Sequence, residues 1–241
     1  MIADESHKTP AIGTPDSEVL DAGAFRHEIV SFIERELPVW RNRPERPDCD
    51  DEPRLNEFLC GHLNSASRRQ CFDSIQFLTE PVQTAGRRGD IAVKPLGTIR
   101  VEGRTYYDFV QLLPIECKRL PTPPDTRRND LEYVHGKPGH RTGGIERFKH
   151  GLHGPTNQHA LMIAYVQAES FTHWLTAINT RLVKLAADGV DEGIWNPSEP
   201  LSNCTSAHSP EVQRLKSCHR RLRPPCSSDN VEMEHIWLRM N

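Results

Sequence analysis

The order in which short apolar runs and helical patterns follow one another is the feature of this sequence that most restricts its fold. Two amphipathic helical patterns come first, three strand-like runs follow, and a fourth strand-like run separates a short basic helical pattern from a long amphipathic one. An amphipathic helix buries one stripe of its surface, and an apolar run of four to eight residues is typical of a buried strand. The order therefore predicts an α/β fold in which a central mixed sheet is flanked by helices.

Three stretches carry apolar residues at helical spacing. The first helix is predicted over residues 17–37, with Ser17 as its cap, and the second begins near Pro53 and runs to about Ser67. The third lies in FTHWLTAINTRLVKLAADG, where Gly189 is a natural stop. The expected buried faces are Phe25, Ile29, Phe32 and Ile33 in the first helix, Leu55, Leu59 and Leu63 in the second, and Trp174, Ile178, Leu182 and Leu185 in the third.

Strand patterns occupy most of the remaining apolar segments. The predicted strands lie in FDSIQFLTEPV, in DIAVK, in one long strand through YYDFVQLLPIECKRL, in ALMIAYV and in the closing segment VEMEHIWLRM, with TIRVEG as an extra hairpin arm. The long third strand is expected to stop at Pro121, Pro123 and Pro124, because proline cannot donate a ladder hydrogen bond.

The composition excludes some classes of protein. The net charge of −3 argues against a protein that coats nucleic acid through global attraction. The chain has no stretch of roughly 20 apolar residues that could cross a bilayer and no signal-peptide pattern, so a cytoplasmic protein with no membrane partner is expected. The seven cysteines lack a regular spacing, which makes a disulfide framework improbable.

Asp90, Glu116 and Lys118 are the residues whose spacing indicates chemistry. Asp90 enters one predicted strand, and Glu116 and Lys118 follow on another with a single residue between them. Because side chains alternate along a strand, Glu116 and Lys118 share a face, while Ile115 and Cys117 point into apolar packing. Two carboxylates can bind a hard cation, and a neighbouring lysine can orient or help deprotonate an attacking water.

An ordinary structural interpretation also exists for these residues. Glu116 and Lys118 are equally compatible with a surface charge pair, and Asp90 with a turn after glycine. The functional interpretation is favoured by the combination of a GD pair entering a strand, the apolar approach QLLPI running into ECK, an upstream helix with acidic residues, and basic residues downstream.

The segment GRRGDIAV followed by PIECKRL resembles the PD-(D/E)xK superfamily, the restriction-endonuclease-like nucleases, and in particular small nucleases of bacterial anti-phage defence. The resemblance covers about residues 52 to 187, with Gly89 in the place of the proline of the superfamily name. It implies a restriction-endonuclease-like core with a central mixed four-stranded (or larger) sheet flanked by helices. It also implies that Asp90 and Glu116 bind Mg²⁺, which Mn²⁺ can replace, and that Lys118 serves the water.

The same resemblance implies a further glutamate from the helix before the first strand. Glu52 precedes Leu55 by three residues and lies on the helical face of the buried leucines, whereas Glu57 points about 160 to 200° away from that face. We therefore prefer Glu52, although its place before Pro53 also suits a simple helix cap. Glu80, at the end of the first strand, is a weaker candidate.

Basic residues and glycines follow the predicted active site. Residues 118–150 hold eight basic against four acidic residues, among them Lys137, Arg141, Arg147 and Lys149. Glycines let a backbone approach phosphates and the cations neutralise them, so these four residues are the expected nucleic-acid contacts. A solvated loop fits nearly as well. Gln158 is a weaker candidate to reach the site from the start of the next strand.

A rival metal site can be drawn late in the chain. Its potential zinc ligands are Cys204, His208, Cys218, His219 and Cys226. The intervals between them lack the paired CxxC knuckles of structural zinc sites, so this site is disfavoured.

These observations lead to one expected organisation and a ranked set of functions. Residues 1–16 are expected to form a flexible leader and residues 17–241 a single nuclease domain, with a catalytic core at about 50–190 and a C-terminal basic segment and strand at 205–240. The expected function is a Mg²⁺-dependent DNA endonuclease in anti-phage defence, acting as a homodimer or with a defence-system partner protein. The alternatives are a non-cleaving nucleic-acid-binding or assembly subunit and an RNA-directed nuclease.

Overall fold

The computed structural model of the chain describes residues 22–48, 51–70, 72–79, 81, 89–101, 104–124, 129–204 and 210–241. Its helices are α1 (Ala22–Arg41), α2 (Glu52–Arg69), α3 (Gly144–Lys149), α4 (Phe171–Ala187) and α5 (Val190–Gly193). Its strands are β1 (Ile75–Thr79), β2 (Ile91–Pro95), β3 (Ile99–Val101), β4 (Arg104–Tyr106), β5 (Leu113–Leu120), β6 (His159–Val166), β7 (Ser202–Asn203), β8 (Val212–Arg220) and β9 (Asn230–Arg239).

Seven strands form one mixed sheet in the order β1-β2-β5-β6-β9-β8-β7. Strand β5 is antiparallel to β2 and parallel to β6, and β6 is parallel to β9. The remaining neighbours pair antiparallel. The α/β fold with a mixed sheet flanked by helices, predicted from the order of patterns, is confirmed.

Strand β6 lies at the centre of the sheet and is buried on both faces. Its alternate residues divide between two hydrophobic clusters, with Leu161, Ile163 and Tyr165 in one and Met162, Ala164 and Val166 in the other. The first cluster lies under α1 and α2, and the second contains the inner face of α4. A continuous apolar run is what a strand covered on both faces requires.

Helix α2 begins where its sequence predicts. The Asp51 side chain accepts a hydrogen bond from the backbone N–H of Arg54, and Pro53 occupies the first turn, where its missing N–H is not needed. Leu55, Leu59 and Leu63 are fully buried, as expected. The helix therefore presents its apolar stripe to the sheet, and the side chain of its first residue, Glu52, accepts a hydrogen bond from the backbone of β5.

Helix α1 continues beyond its predicted end at residue 37. It contains Pro38 and ends at Arg41. The extension follows from the apolar face, because Leu37 and Trp40 are both fully buried. The predicted cap Ser17 and the predicted leader 1–16 lie outside the described residues.

The sequence prediction placed the start of the long third strand too early in the chain. Strand β5 begins at Leu113, and the residues before it form a turn in which the Val110 N–H donates to the Tyr107 carbonyl. Phe109 in that turn is 85% exposed. The apolar residues of this segment therefore lie partly in β4, which pairs with β3 of the predicted arm TIRVEG, and partly in a turn.

Helix α4 agrees with its prediction, because Trp174, Ile178, Leu182 and Leu185 are its buried residues. No helix among the described residues is both long and apolar enough to cross a membrane.

Strand β8 was missed in the C-terminal basic segment. It pairs with β9 from Val212 to Arg220. Its charged residue Arg214 is buried, with the Nε atom 2.6 Å from Glu234 Oε2 and Nη1 3.3 Å from Glu34 Oε2. Partners on β9 and α1 thus let a basic segment enter the sheet.

Candidate active site

The residues singled out in the sequence meet where β2, β5 and α2 come together. Asp90 immediately precedes β2, Glu116 and Lys118 lie within β5, and Glu52 is the first residue of α2. Residues Ile91 and Ile115 pair across the two strands, which brings Asp90 beside β5.

Lys118 links two of the carboxylates. Its Nζ atom lies 2.8 Å from Glu116 Oε1 and 3.8 Å from Glu52 Oε1. Glu52 is also held by β5 itself, because its Oε2 accepts a hydrogen bond of 3.2 Å from the Arg119 backbone N–H. Burial alone would lower the pKa of Lys118, but the charges of Glu116, Glu52 and Asp90 raise it above its usual value.

Asp90 is fixed against the backbone of β5. Its Oδ2 accepts a hydrogen bond of 2.7 Å from the Cys117 N–H. Burial, together with the negative charges of Glu116 and Glu52, raises the pKa of Asp90 to about 7, against the lowering effect of Lys118. A cation beside Asp90 would favour its ionised form, so the crowding of carboxylates itself suits a cation.

Glu116 is fully buried and surrounded by three nitrogen groups. Arg147 Nη1 lies 2.5 Å and Lys118 Nζ 2.8 Å from Glu116 Oε1, and His153 Nδ1 lies 2.8 Å from Oε2. Burial alone would raise the pKa of Glu116, but the charges of Lys118, Arg147 and His153 bring it well below its usual value. Glu116 is therefore an ionised carboxylate inside the protein.

The sequence analysis did not assign two residues, Arg147 and His153, to this site. Arg147 was predicted as a nucleic-acid contact, yet α3 directs it to Glu116. His153 was not predicted at all. It follows α3 by four residues and packs edge-on against Phe148. The sequence carries no signal for either contact, because both depend on how α3 packs over β5.

The competing acidic residues lie elsewhere. Glu57 is exposed on α2 and lines a surface cavity with Arg54 and His62. Glu80 lies outside the described residues. Gln158 is exposed and lines a different cavity, beside Phe25 and Tyr106.

One of the predicted nucleic-acid contacts is wrong. Lys149 is fully buried, and its Nζ atom lies 2.6 and 2.7 Å from the two carboxylate oxygens of Glu199. An ammonium enclosed in this way cannot meet a phosphate. Lys137 is half-buried and Arg141 is exposed, so these two remain on the surface.

The disfavoured zinc site is not assembled in the part of the chain that is described. Cys218 is exposed, whereas the buried His219 is bonded to Ser217 and Glu199. Cys226 is buried beside Lys149, and His208 lies outside the described residues. The group of potential metal ligands that the structure does bring together contains none of these five residues.

Asp90, Glu116 and Glu52 offer only carboxylate oxygens, the donors that Mg²⁺ and Mn²⁺ prefer. Glu116 Oε2 is buried against His153 Nδ1, which lies 2.8 Å away. Asp90 uses Oδ2 for the Cys117 N–H. The oxygen donors of Asp90 and Glu116 therefore suit a hard divalent cation by their chemistry, whereas the group of at least three ligand atoms within 4.8 Å of one another that the described residues form lies elsewhere.

Comparison of the chain with known protein families, with curated proteins and with solved structures finds no match.

Proposed function

We propose that the protein is a metal-dependent nuclease that hydrolyses phosphodiester bonds, with DNA as its substrate. The observation that carries this proposal is the convergence of Asp90, Glu116 and Glu52 with the Lys118 ammonium, from three separate elements of the fold. The resemblance of GRRGDIAV and PIECKRL to PD-(D/E)xK nucleases supports the same function.

The metal would be held by Asp90 and Glu116, and Glu52 lies 3.8 Å from the Lys118 ammonium. A bound Mg²⁺ supplies Lewis-acid stabilisation of phosphate charge and an acidified water. The residues around it determine where that water and the phosphate can lie, because Asp90 and Glu116 are each fixed by further contacts.

Lys118 acts as a cation in this mechanism. Its pKa is raised by the surrounding carboxylates, so it keeps its proton at neutral pH. A protonated lysine donates hydrogen bonds to the attacking water and offsets the negative charge that develops in the transition state. It does not act as the general base in this state.

Arg147 supports the proposal in a second way. Its guanidinium bonds to Glu116, and its side chain is 20% exposed. Once a cation takes over part of the Glu116 charge, Arg147 can turn one edge towards a substrate phosphate. Guanidinium groups suit this part, because they bind phosphate oxygens in a bidentate manner.

A cleavage assay with matched variants tests the proposal. Supercoiled plasmid, linear duplex, single-stranded DNA and RNA are incubated with the full chain in Mg²⁺, Mn²⁺ or EDTA. We expect DNA cleavage with either metal and none in EDTA. Asp90→Asn and Lys118→Met are expected to lower the cleavage rate at least about 100-fold.

The control compares two glutamates of one helix. Glu52→Gln changes a residue beside Lys118, whereas Glu57→Gln changes an exposed residue of α2. We expect the first to lower the rate and the second to leave it unchanged. Cleavage that persists in EDTA or in Asp90→Asn would show that the proposed mechanism is wrong. Cleavage of RNA alone would exclude DNA as the substrate.

A further inference from the structure

A second group of potential metal ligands lies around α3, apart from the carboxylates of the candidate active site. It consists of His135, from the loop before α3, Glu146 on α3, and Asp191 on α5, with their ligand atoms within 4.8 Å of one another. His135 Nε2 lies 3.4 Å from Glu146 Oε1 and 3.5 Å from Asp191 Oδ2. His135 and Glu146 are buried, and the Asp191 side chain is 22% exposed.

A second histidine faces this group without a hydrogen bond of its own. His150 is 5% exposed, and neither of its ring nitrogens has a hydrogen-bond partner. It lies outside the group of three, but its Nε2 is 3.5 Å from Asp191 Oδ2. A buried imidazole without a hydrogen bond is costly, so its position beside Asp191 points to a ligand at this group.

The distances within the group suit a shared metal ion better than direct ion pairs. Charge-assisted hydrogen bonds between nitrogen and carboxylate are about 2.7–2.9 Å long. The contacts of His135 and His150 are 3.4–3.5 Å. Ligand atoms placed tetrahedrally at about 2.0–2.1 Å from one Zn²⁺ lie about 3.3 Å apart, which is close to these values.

The backbone holds Glu146 and His135 in place for such a role. Glu146 Oε2 accepts hydrogen bonds from the N–H groups of Gly136 (2.9 Å) and Gly143 (3.0 Å), which directs Oε1 to His135. A side chain at Gly143 would come within 2.3 Å of the His135 Cα, so the loop closes tightly on itself there. Asp191 has a φ of 51°, a conformation that non-glycine residues adopt rarely.

We propose that His135, Glu146 and Asp191 bind a Zn²⁺ as its three protein ligands, with water in the fourth position and with His150 next to Asp191 outside the ligand set. The charges of the two carboxylates, Glu146 and Asp191, balance that of one divalent ion. Imidazole donors favour Zn²⁺ over Mg²⁺, which selects oxygen ligands. This zinc is distinct from the Mg²⁺ of the proposed nuclease site, and the two proposals are independent.

The zinc would connect three segments of the chain and fix α3 between them. Glu146 binds the metal, and its neighbour Arg147 contacts Glu116 in the candidate active site. A helix of six residues has few hydrogen bonds of its own, so a metal that ties it to the loop and to α5 stabilises its position.

Metal analysis of the full chain tests this inference. The protein is stripped with a chelator and titrated with Zn²⁺ against a chromophoric competitor, and the bound metal is counted by mass spectrometry. We expect one tightly bound Zn²⁺ per chain and, with Co²⁺ in its place, the visible absorption of a tetrahedral site. His135→Ala, His150→Ala and Asp191→Asn are each expected to weaken binding at least about tenfold.

Two further variants show whether the zinc is bound at this group rather than elsewhere on the chain. His140→Ala changes an exposed histidine of the same loop and is expected to bind Zn²⁺ as the unaltered chain does. Asp90→Asn, which disables the proposed nuclease site, is expected to keep its zinc. Because Asp191→Asn is isosteric, its far-ultraviolet circular dichroism should match that of the unaltered chain. No bound zinc, or unchanged affinity in Asp191→Asn or His150→Ala, would overturn the proposal.

Discussion

At the scale of single residues, Glu116 shows how a carboxylate can stay ionised inside a protein. It is completely buried, and burial alone favours its neutral form. Lys118, Arg147 and His153 reverse that preference by approaching from separate parts of the chain. Removing one of them leaves a buried charge with fewer partners, which is more costly than losing an exposed ion pair.

Arg147→Met therefore tests the strength of this arrangement in the metal-free protein. We expect the free energy of unfolding in EDTA to fall by about 1–3 kcal/mol, because Glu116 loses a charge-assisted hydrogen bond but keeps Lys118 and His153. The measurement is urea denaturation followed by circular dichroism.

The matched control is Arg181→Met, which removes an ion pair with Asp130 at the surface. The side chains of this pair are 28% and 80% exposed. We expect a change below about 1 kcal/mol, the usual range for such pairs. Equal effects of the two substitutions would contradict the buried, ionised state assigned to Glu116.

At the scale of elements, a chain of hydrogen bonds ties β8 and β9 to the loop before α3. The Trp237 indole N–H donates to the Tyr133 hydroxyl, which leaves this hydroxyl able to donate its own hydrogen to His235 Nδ1. His235 Nε2 then carries the proton and donates to Ser217 Oγ. This direction of donation corresponds to the Nε2–H tautomer of His235.

The hydrogen bonds continue in the same direction to the buried carboxylate of Glu199. Ser217 Oγ accepts a hydrogen bond from His235 in this arrangement and donates its own to His219 Nε2. The proton of His219 lies on Nδ1, which faces Glu199 Oε2 at 3.3 Å. Both histidines are thus neutral and bonded at both nitrogens, in opposite tautomers. Two-dimensional ¹H–¹⁵N spectra of the imidazole rings should show Nε2–H for His235 and Nδ1–H for His219.

Acid is expected to destabilise the protein through these histidines. Burial lowers the pKa of His219, and burial with the nearby His219 lowers that of His235 well below its usual value. The folded state keeps both rings neutral, whereas in the unfolded state both rings gain protons as pH falls. The stability that the two neutral rings contribute is therefore complete above about pH 6.5 and is lost as pH falls towards their folded-state pKa values. The free energy of unfolding should fall by up to roughly 1.4 kcal/mol per pH unit for each histidine.

This pH dependence is best measured in Asp90→Asn with EDTA present. The pKa of Asp90 is raised to about 7, so ionisation of Asp90 weakens the fold as pH rises and opposes the histidine effect between pH 5 and 7. A free energy of unfolding that stays flat between pH 6.5 and 5 in this variant would contradict the neutral, buried state of His219 and His235.

The elements that could be predicted from the sequence are those with a strong period of their own. The sequence of helix α4 shows its buried stripe as apolar residues at helical spacing, and the sequence of β6 is a continuous apolar run. Strand β8 could not be predicted in this way, because the charge of its residue Arg214 is balanced by Glu34 and Glu234 from other elements. A charged residue in the sequence indicates an exposed position only when no oppositely charged residue from a distant segment pairs with it in the fold.

The candidate site follows the same rule. Glu116 and Lys118 share a face because strand alternation requires it, and Glu52 reaches them because it lies on the buried stripe of α2. Lys149 is buried because Glu199 lies opposite it, 50 residues later in the chain. A local sequence pattern cannot indicate a contact between residues that lie so far apart in the sequence.

At the scale of the whole molecule, the central sheet separates two hydrophobic clusters but also joins them. Residues of β6 and β9 enter both clusters, with Ile163 and Ile236 on one face and Met162 and Trp237 on the other. Neither cluster can lose its packing without disturbing strands that the other requires. We therefore expect the two faces to unfold in a single transition.

The tryptophans allow a direct test of this cooperativity. Trp40 lies in the cluster under α1 and α2, and the other three tryptophans, Trp174, Trp195 and Trp237, lie in the opposite cluster. In a Trp40→Phe background, fluorescence therefore reports only the second face.

Ile33→Ala then removes fully buried atoms from the first face and should lower the free energy of unfolding by about 2–5 kcal/mol. Because the strands are shared, the fluorescence midpoint in urea should shift together with the circular dichroism midpoint. A fluorescence midpoint that stays in place while circular dichroism shifts would mean that the two faces unfold independently, and that β6 and β9 do not couple them.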